Sequence, residues 1–201
     1  AYTVLDADGD AMRHGLDARP RLIKPNVREL SGIVGCDERE LDSPDRLADA
    51  MLATRARFGC DVICTLDSRG AVGLCGAGRI DSRGQSGREK AGCSNPAGCS
   101  GPGAADTSYT SYTVDTADTA EMWRVSAAPV RLRGFSGAGD TFLASYLHRR
   151  LLGDPTPQTL AYAAAAAGAK VELEGTELPT PRRAEELLPY IKTEKLFIKN
   201  T

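Results

Sequence analysis

The chain has 201 residues, 41% of them hydrophobic and 26% charged, with a formal net charge of −2. That length supplies one domain of moderate size, and the near-neutral balance excludes the electrostatic footprint of a nucleic-acid or anionic-membrane binder. No apolar run approaches the ~20 residues of a membrane span and no basic-then-apolar signal opens the chain, so a cytoplasmic protein is expected.

The chain starts at "AYTVLDADGDAM", and Tyr2–Asp6 already reads as a core strand ending in an acid, so the sequence is expected to enter a fold part-way through. Residues 9–18 have weak helical character, and "RLIKPN" is a second short strand stopped by Pro25. In "NVRELSGIVG", Val27, Leu30 and Val34 recur at helical spacing and Gly35 can end the helix. "SPDRLADAMLATRARFG" is the cleanest helix: Ser43 caps it, Pro44 takes the first position, and Leu47, Met51 and Phe58 mark one face. A strand at 61–66, a turn at 67–70 and a strand at 71–75 read as a hairpin. Two late helices are expected, Pro157–Ala169 and Pro181–Lys192, the second capped by Thr180.

Residues 76–121 are dominated by Gly, Ser, Thr, Asp and Pro and lose apolar periodicity. Such a segment cannot bury enough surface to offset its ordering entropy, so a low-complexity, disordered insertion within a single domain 1–201 is expected. Elsewhere strands alternate with helices, the pattern of an α/β layer fold with a mostly parallel sheet. Cys36, Cys60, Cys64, Cys75, Cys93 and Cys99 form no C-x-x-C pair and only His14 and His148 accompany them, which argues against structural zinc. Cys60 and Cys64 read as buried, inert thiols. "DADGDAMRHGLD" imitates a calcium loop but has Ala11 at its sixth position and Asp17 at its twelfth. "GLCGAGRID" imitates a dinucleotide turn, but no helical pattern follows it.

The most informative stretch is "RGFSGAGDTFLASYL", residues 133–147. Glycines let the backbone approach a ligand closely, and a helix beginning there aims unpaired N–H groups and its positive dipole end at the same point. That makes a concavity for an anion such as phosphate. An acid at that spot would repel the anion unless it has its own task, such as taking a proton from an attacking hydroxyl. The plainer reading is an ordinary helix start with an acid in its first turn.

"GAGDTF" at 137–142 resembles the signature of the ribokinase-like carbohydrate kinases, the phosphofructokinase B group. "LIKPNVREL" at 22–30 and "VICTLDSRGAV" at 62–72 resemble further motifs of that family, in the right order. The form "KPNxxEL" is most similar to the branch of 1-phosphofructokinase and tagatose-6-phosphate kinase. The resemblance implies a three-layer α/β/α fold, truncated at the N-terminus, and ATP-dependent phosphoryl transfer to a hydroxyl of a sugar phosphate, with Mg²⁺. It makes Asp140 the general base and the amides of Gly137, Ala138 and Gly139 an anion hole. It places Lys24 near the nucleotide phosphates, Asn26 and Glu29 on Mg²⁺ largely through ordered waters, and Thr65 and Gly70 in the nucleotide site. On residue chemistry alone, Asn26 and Glu29 equally suit a helix cap, Lys24 a solvated strand end, and Thr65 and Gly70 a plain hairpin.

The sequence departs from the family pattern at Asp67, where glycine is usual; a carboxylate there repels nucleotide phosphates and lacks glycine's freedom at positive φ. The resemblance covers residues 1–75 and about 122–195, the C-terminal part. The family's N-terminal half carries the sugar-binding residues and the β-sheet lid that often makes a homodimer. Two alternatives therefore stand beside the kinase: an inactive fragment acting as a nucleotide-binding or interaction module, and a kinase whose acceptor is a nucleoside or unphosphorylated sugar.

Overall fold

The computed structural model describes residues 1–76 and 120–197. Six strands form one sheet: β1 (Val4–Leu5), β2 (Leu22–Ile23), β3 (Asp61–Thr65), β4 (Ala71–Gly76), β5 (Ala120–Val125) and β6 (Thr193–Leu196), paired in that order. Successive side chains on a strand point to opposite faces, so each central strand feeds two cores. Ile23, Val62, Cys64, Val72, Leu74 and Met122 face one way; Leu22, Ile63, Ala71, Cys75 and Val125 face the other.

The first face is covered by α1 (Gly9–Asp17), α2 (Val27–Val34) and α3 (Pro44–Phe58), through Met12, Leu16, Leu30 and Met51. The second is covered by α4 (Ala138–Leu152) and α5 (Thr156–Val171), through Phe142, Tyr146, Leu160 and Ala163. Outside them α6 (Pro181–Leu187) packs Leu187 against Ala165 and Ala169 of α5. This is the expected α/β/α layering. The alanine run of α5 serves close packing: Ala163, Ala165 and Ala169 have at most 1% of their surface exposed. Tyr146 is fully buried and its hydroxyl meets Cys75 Sγ at 3.2 Å, so the ring's burial, worth about 1.5–3 kcal/mol, does not strand its polar end.

Three features differ from the sequence reading. The sheet is not mostly parallel: β1–β2 and β2–β3 are parallel and the expected β3–β4 hairpin is antiparallel, but β4–β5 and β5–β6 are antiparallel too. The expected helix 181–192 stops at Leu187; a short 3₁₀ turn, Leu188–Tyr190, follows, and then β6. Pro189 is the cause, because its ring removes a backbone donor and blocks the helical turn before it. Finally, Gly76, Ala120 and Glu121 of the expected insertion belong to β4 and β5. Residues 77–119 of that insertion, with Cys93 and Cys99, lie outside the described residues. No helix among the described residues is long and apolar enough to cross a membrane.

Candidate active site

The carboxyl ends of the three parallel strands carry most of the chemistry. In α/β sheets that rim is where ligands bind, because the loops leaving it splay apart. The backbone stitches it together: Lys24 N donates to Leu5 O at 3.2 Å, Thr65 N donates to Pro25 O at 3.0 Å, and Asn26 and Thr65 form an isolated parallel bridge. Thr65 is thus set directly beside Asn26.

Lys24 is no solvated strand end. It is 7% exposed, and its ammonium pairs with Asp6 at 3.1 Å. Asp6, the acid that ends the first apolar run, was not singled out by sequence; its signal is its place at the end of β1. A Cβ built on Gly139 would lie 3.4 Å from Lys24 Nζ. The N-terminus of α4 therefore meets Lys24, although more than a hundred residues separate them in sequence.

Asn26 and Glu29 form a complete capping box. Asn26 Oδ1 accepts from Glu29 N at 2.8 Å, Glu29 Oε2 accepts from Asn26 N at 2.9 Å, and Asn26 Nδ2 donates to Glu29 Oε1 at 2.9 Å. The capping reading is realised in full, and it also holds both side chains in place at the rim. Both border a cavity of about 430 Å³ between α1 and α2, which Asp8, Arg13 and Arg28 also line.

Gly137 is the N-cap of α4, with φ +78°, a left-handed conformation that favours glycine. Ala138, Gly139 and Asp140 make the first helical turn, where backbone N–H groups have no intrahelical acceptor. Asp140 is exposed and its side chain makes no hydrogen bond or ion pair among the described residues. A buried lysine of α5, Lys170, reaches this turn as well: a Cβ on Gly137 would lie 3.2 Å from its Cε. Sequence reasoning missed Lys170; the available signal is a single cation closing an otherwise apolar alanine helix.

At the hairpin, Asp67 has φ +52°, the conformation for which a glycine is better suited. Gly70 has φ +94°, and a Cβ there would come within 2.0 Å of Val125 O. Gly70 is thus required by the backbone of β5, whatever else it does. The thiols behave as expected: burial, aided by the Glu29 charge, pushes Cys64 up to about 12, and burial pushes Cys60 up to about 11.

No protein-family model matches the chain, and no curated protein matches it in sequence. Solved structures do match its fold. Phosphofructokinase-2 from Escherichia coli, in complex with substrates and products, superposes with a TM-score of 0.65 at 20% identity, over 93% of this chain and 46% of that one. A Staphylococcus aureus protein assigned as a phosphofructokinase gives 0.66 at 15% identity, over 96% and 47%. Ribokinase from Arabidopsis thaliana, complexed with ribose and ATP, gives 0.58 at 19% identity, over 92% and 46%. The chain therefore has the ribokinase-like fold of these sugar kinases and spans about half of their length.

Proposed function

We propose that the chain belongs to an ATP-dependent kinase that phosphorylates a hydroxyl of a sugar phosphate, of the 1-phosphofructokinase or tagatose-6-phosphate kinase type. The observation that carries this reading is the meeting of Gly139 with the Lys24 ammonium. It puts a glycine turn, a helix N-terminus and a buried cation at one point, as a migrating phosphoryl group requires. Asp140, exposed on the same first turn, is the general base for the acceptor hydroxyl. The amides of Gly137, Ala138 and Gly139 gather around the phosphoryl oxygens.

Magnesium fits this donor set only in hydrated form. Each Glu29 oxygen already accepts from Asn26, and no group of three or more metal-ligating side chains occurs among the described residues. Glu29 retains free lone pairs for metal-bound waters, which suits an ion that keeps much of its hydration. When bound, the ion would offset phosphate charge; Asn26 and Glu29 would orient its waters.

The neighbours' names support a sugar or sugar-phosphate acceptor, and one describes a tetrameric inhibited form of phosphofructokinase-2. A homodimer through the family's lid is proposed only for a protein that includes the remaining half. A second reading, a module without turnover, is favoured by the Asp67 carboxylate, which would hold nucleotide phosphates poorly for transfer. Calorimetry with Mg-ATP, with and without fructose 1-phosphate, together with transfer of labelled phosphate from ATP, separates the two. Transfer by the chain removes the module reading. Nucleotide binding without transfer, in a protein that also includes the remaining half, supports it, and absence of Mg-ATP binding there overturns the kinase reading.

A further inference from the structure

We propose that Lys170 is a positioning residue for phosphoryl transfer: its buried side chain props the Gly137 turn and adds positive charge near it, as Lys24 does beside Gly139. This rests on the kinase reading above and adds to it a residue that none of the three motifs contains.

Lys170 lies in the last turn of α5, 4% exposed, far from the solvent that normally surrounds a lysine. Burying an ammonium is costly unless it is paired or useful. Its Nζ donates to Gly175 O at 2.7 Å, and among the described residues it has no carboxylate within ion-pair distance. A neutral donor would satisfy that carbonyl equally well, so the hydrogen bond alone does not account for a charge here.

The surroundings show what the charge faces. Its stem touches the space a Gly137 side chain would fill. The approach to that turn is moulded on the end of α5: Arg133 N and Gly134 N both donate to Val171 O, at 2.7 and 3.2 Å, and a Cβ on Gly134 would strike Leu173 O at 2.8 Å. Lys170 thus ties the 172–175 turn to the segment that becomes the α4 N-terminus. Two buried lysines approach one glycine turn, Lys24 at Gly139 and Lys170 at Gly137. A helix N-terminus already carries about half a positive charge, and Asp140 on its first turn is exposed and screened by water, so two buried ammonium groups near it favour a further anion. Among the described residues only Lys24 of the two has a carboxylate within ion-pair distance, Asp6. The remaining positive charge is balanced when a phosphoryl group occupies the turn, and because Lys170 is held by Gly175 O, it needs no reorganisation as charge develops.

The test uses Lys170→Gln, which can still donate to Gly175 O but carries no charge, and Lys170→Met, which does neither. Inorganic phosphate is titrated while the amide resonances of Gly137 and Gly139 are followed, and thermal melting is recorded alongside. The expected result for Lys170→Gln is a melting point near the parent's and phosphate affinity at least about tenfold weaker. Lys192→Met, which removes a cation remote from the turn, should bind as the parent does. Parent-like phosphate affinity in Lys170→Gln overturns the positioning role and leaves the kinase reading standing. Failure of both Lys170 variants to fold makes the residue structural and equally overturns it. Absence of a phosphate response in the parent overturns the anion-hole reading itself, and this inference with it.

Discussion

Asn26 and Glu29 close on each other through three hydrogen bonds, so the start of α2 and the proposed magnesium-facing group are one object. The two roles separate by substitution. Glu29→Ala opens the capping box and should cost about 1 kcal/mol, a melting-point loss of about 2–4 °C in a chain of this size. Glu29→Gln keeps an acceptor for Asn26 and should melt near the parent, while the magnesium concentration needed for transfer rises. If Glu29→Gln leaves the magnesium dependence unchanged, Glu29 is a cap and nothing more.

Asp140 stands in the first turn of α4 without a partner among the described residues, so little of the fold depends on it. Asp140→Asn should lower the transfer rate by about 10²–10⁴, the usual worth of a general base. Stability should change by less than about 1 kcal/mol, the scale of a charge at a helix end. Calorimetric nucleotide affinity should persist, since the carboxylate repels rather than holds phosphate. Parent-like turnover in this variant ends the assignment.

Asp67 and Gly70 occupy the same hairpin turn and predict opposite outcomes. At Asp67, φ +52° already suits glycine, so Asp67→Gly should alter stability by less than about 1 kcal/mol. Removing the carboxylate should raise Mg-ATP affinity about threefold to tenfold, the Coulomb effect of one partly screened charge. At Gly70, a methyl group would strike Val125 O, so Gly70→Ala should cost about 3 kcal/mol or more. Urea denaturation and calorimetry read both, and an unchanged nucleotide affinity in Asp67→Gly removes Asp67 from the nucleotide site.

Glu172, just past α5, accepts two hydrogen bonds from Arg183 of α6, at 2.7 and 2.8 Å. These bonds hold its carboxyl below the ordinary carboxylate range. A depressed folded value means the pair stabilises above the unfolded value of about 4.3 and loses that contribution as pH falls through the folded one. The site is partly open to solvent, so Glu172→Gln should cost no more than about 1 kcal/mol at neutral pH. The cost should vanish near pH 2 and shrink in high salt, which thermal melts across that range would show. A pH-independent cost would mean the pair acts through packing alone.

Local signals were enough to place most elements. Periodicity and caps located α2 and α3, the polar turn located the β3–β4 hairpin, and the glycines before Asp140 marked the start of α4. The KPN and GAGD segments could be singled out as candidate site segments because each is a run of adjacent residues. Tertiary structure decided what adjacency cannot: that Lys24 is buried on Asp6 and touches the α4 turn, that Lys170 reaches that turn, and that β4 to β6 run antiparallel. β6 was hidden because its four residues, "TEKL", are mostly exposed and polar, and only pairing with β5 makes them a strand. The physical reason is range. Caps, turns and periodicity are interactions within a few residues, whereas a buried ammonium is stabilised by groups brought from distant parts of the chain, and that encounter exists only once the sheet has assembled.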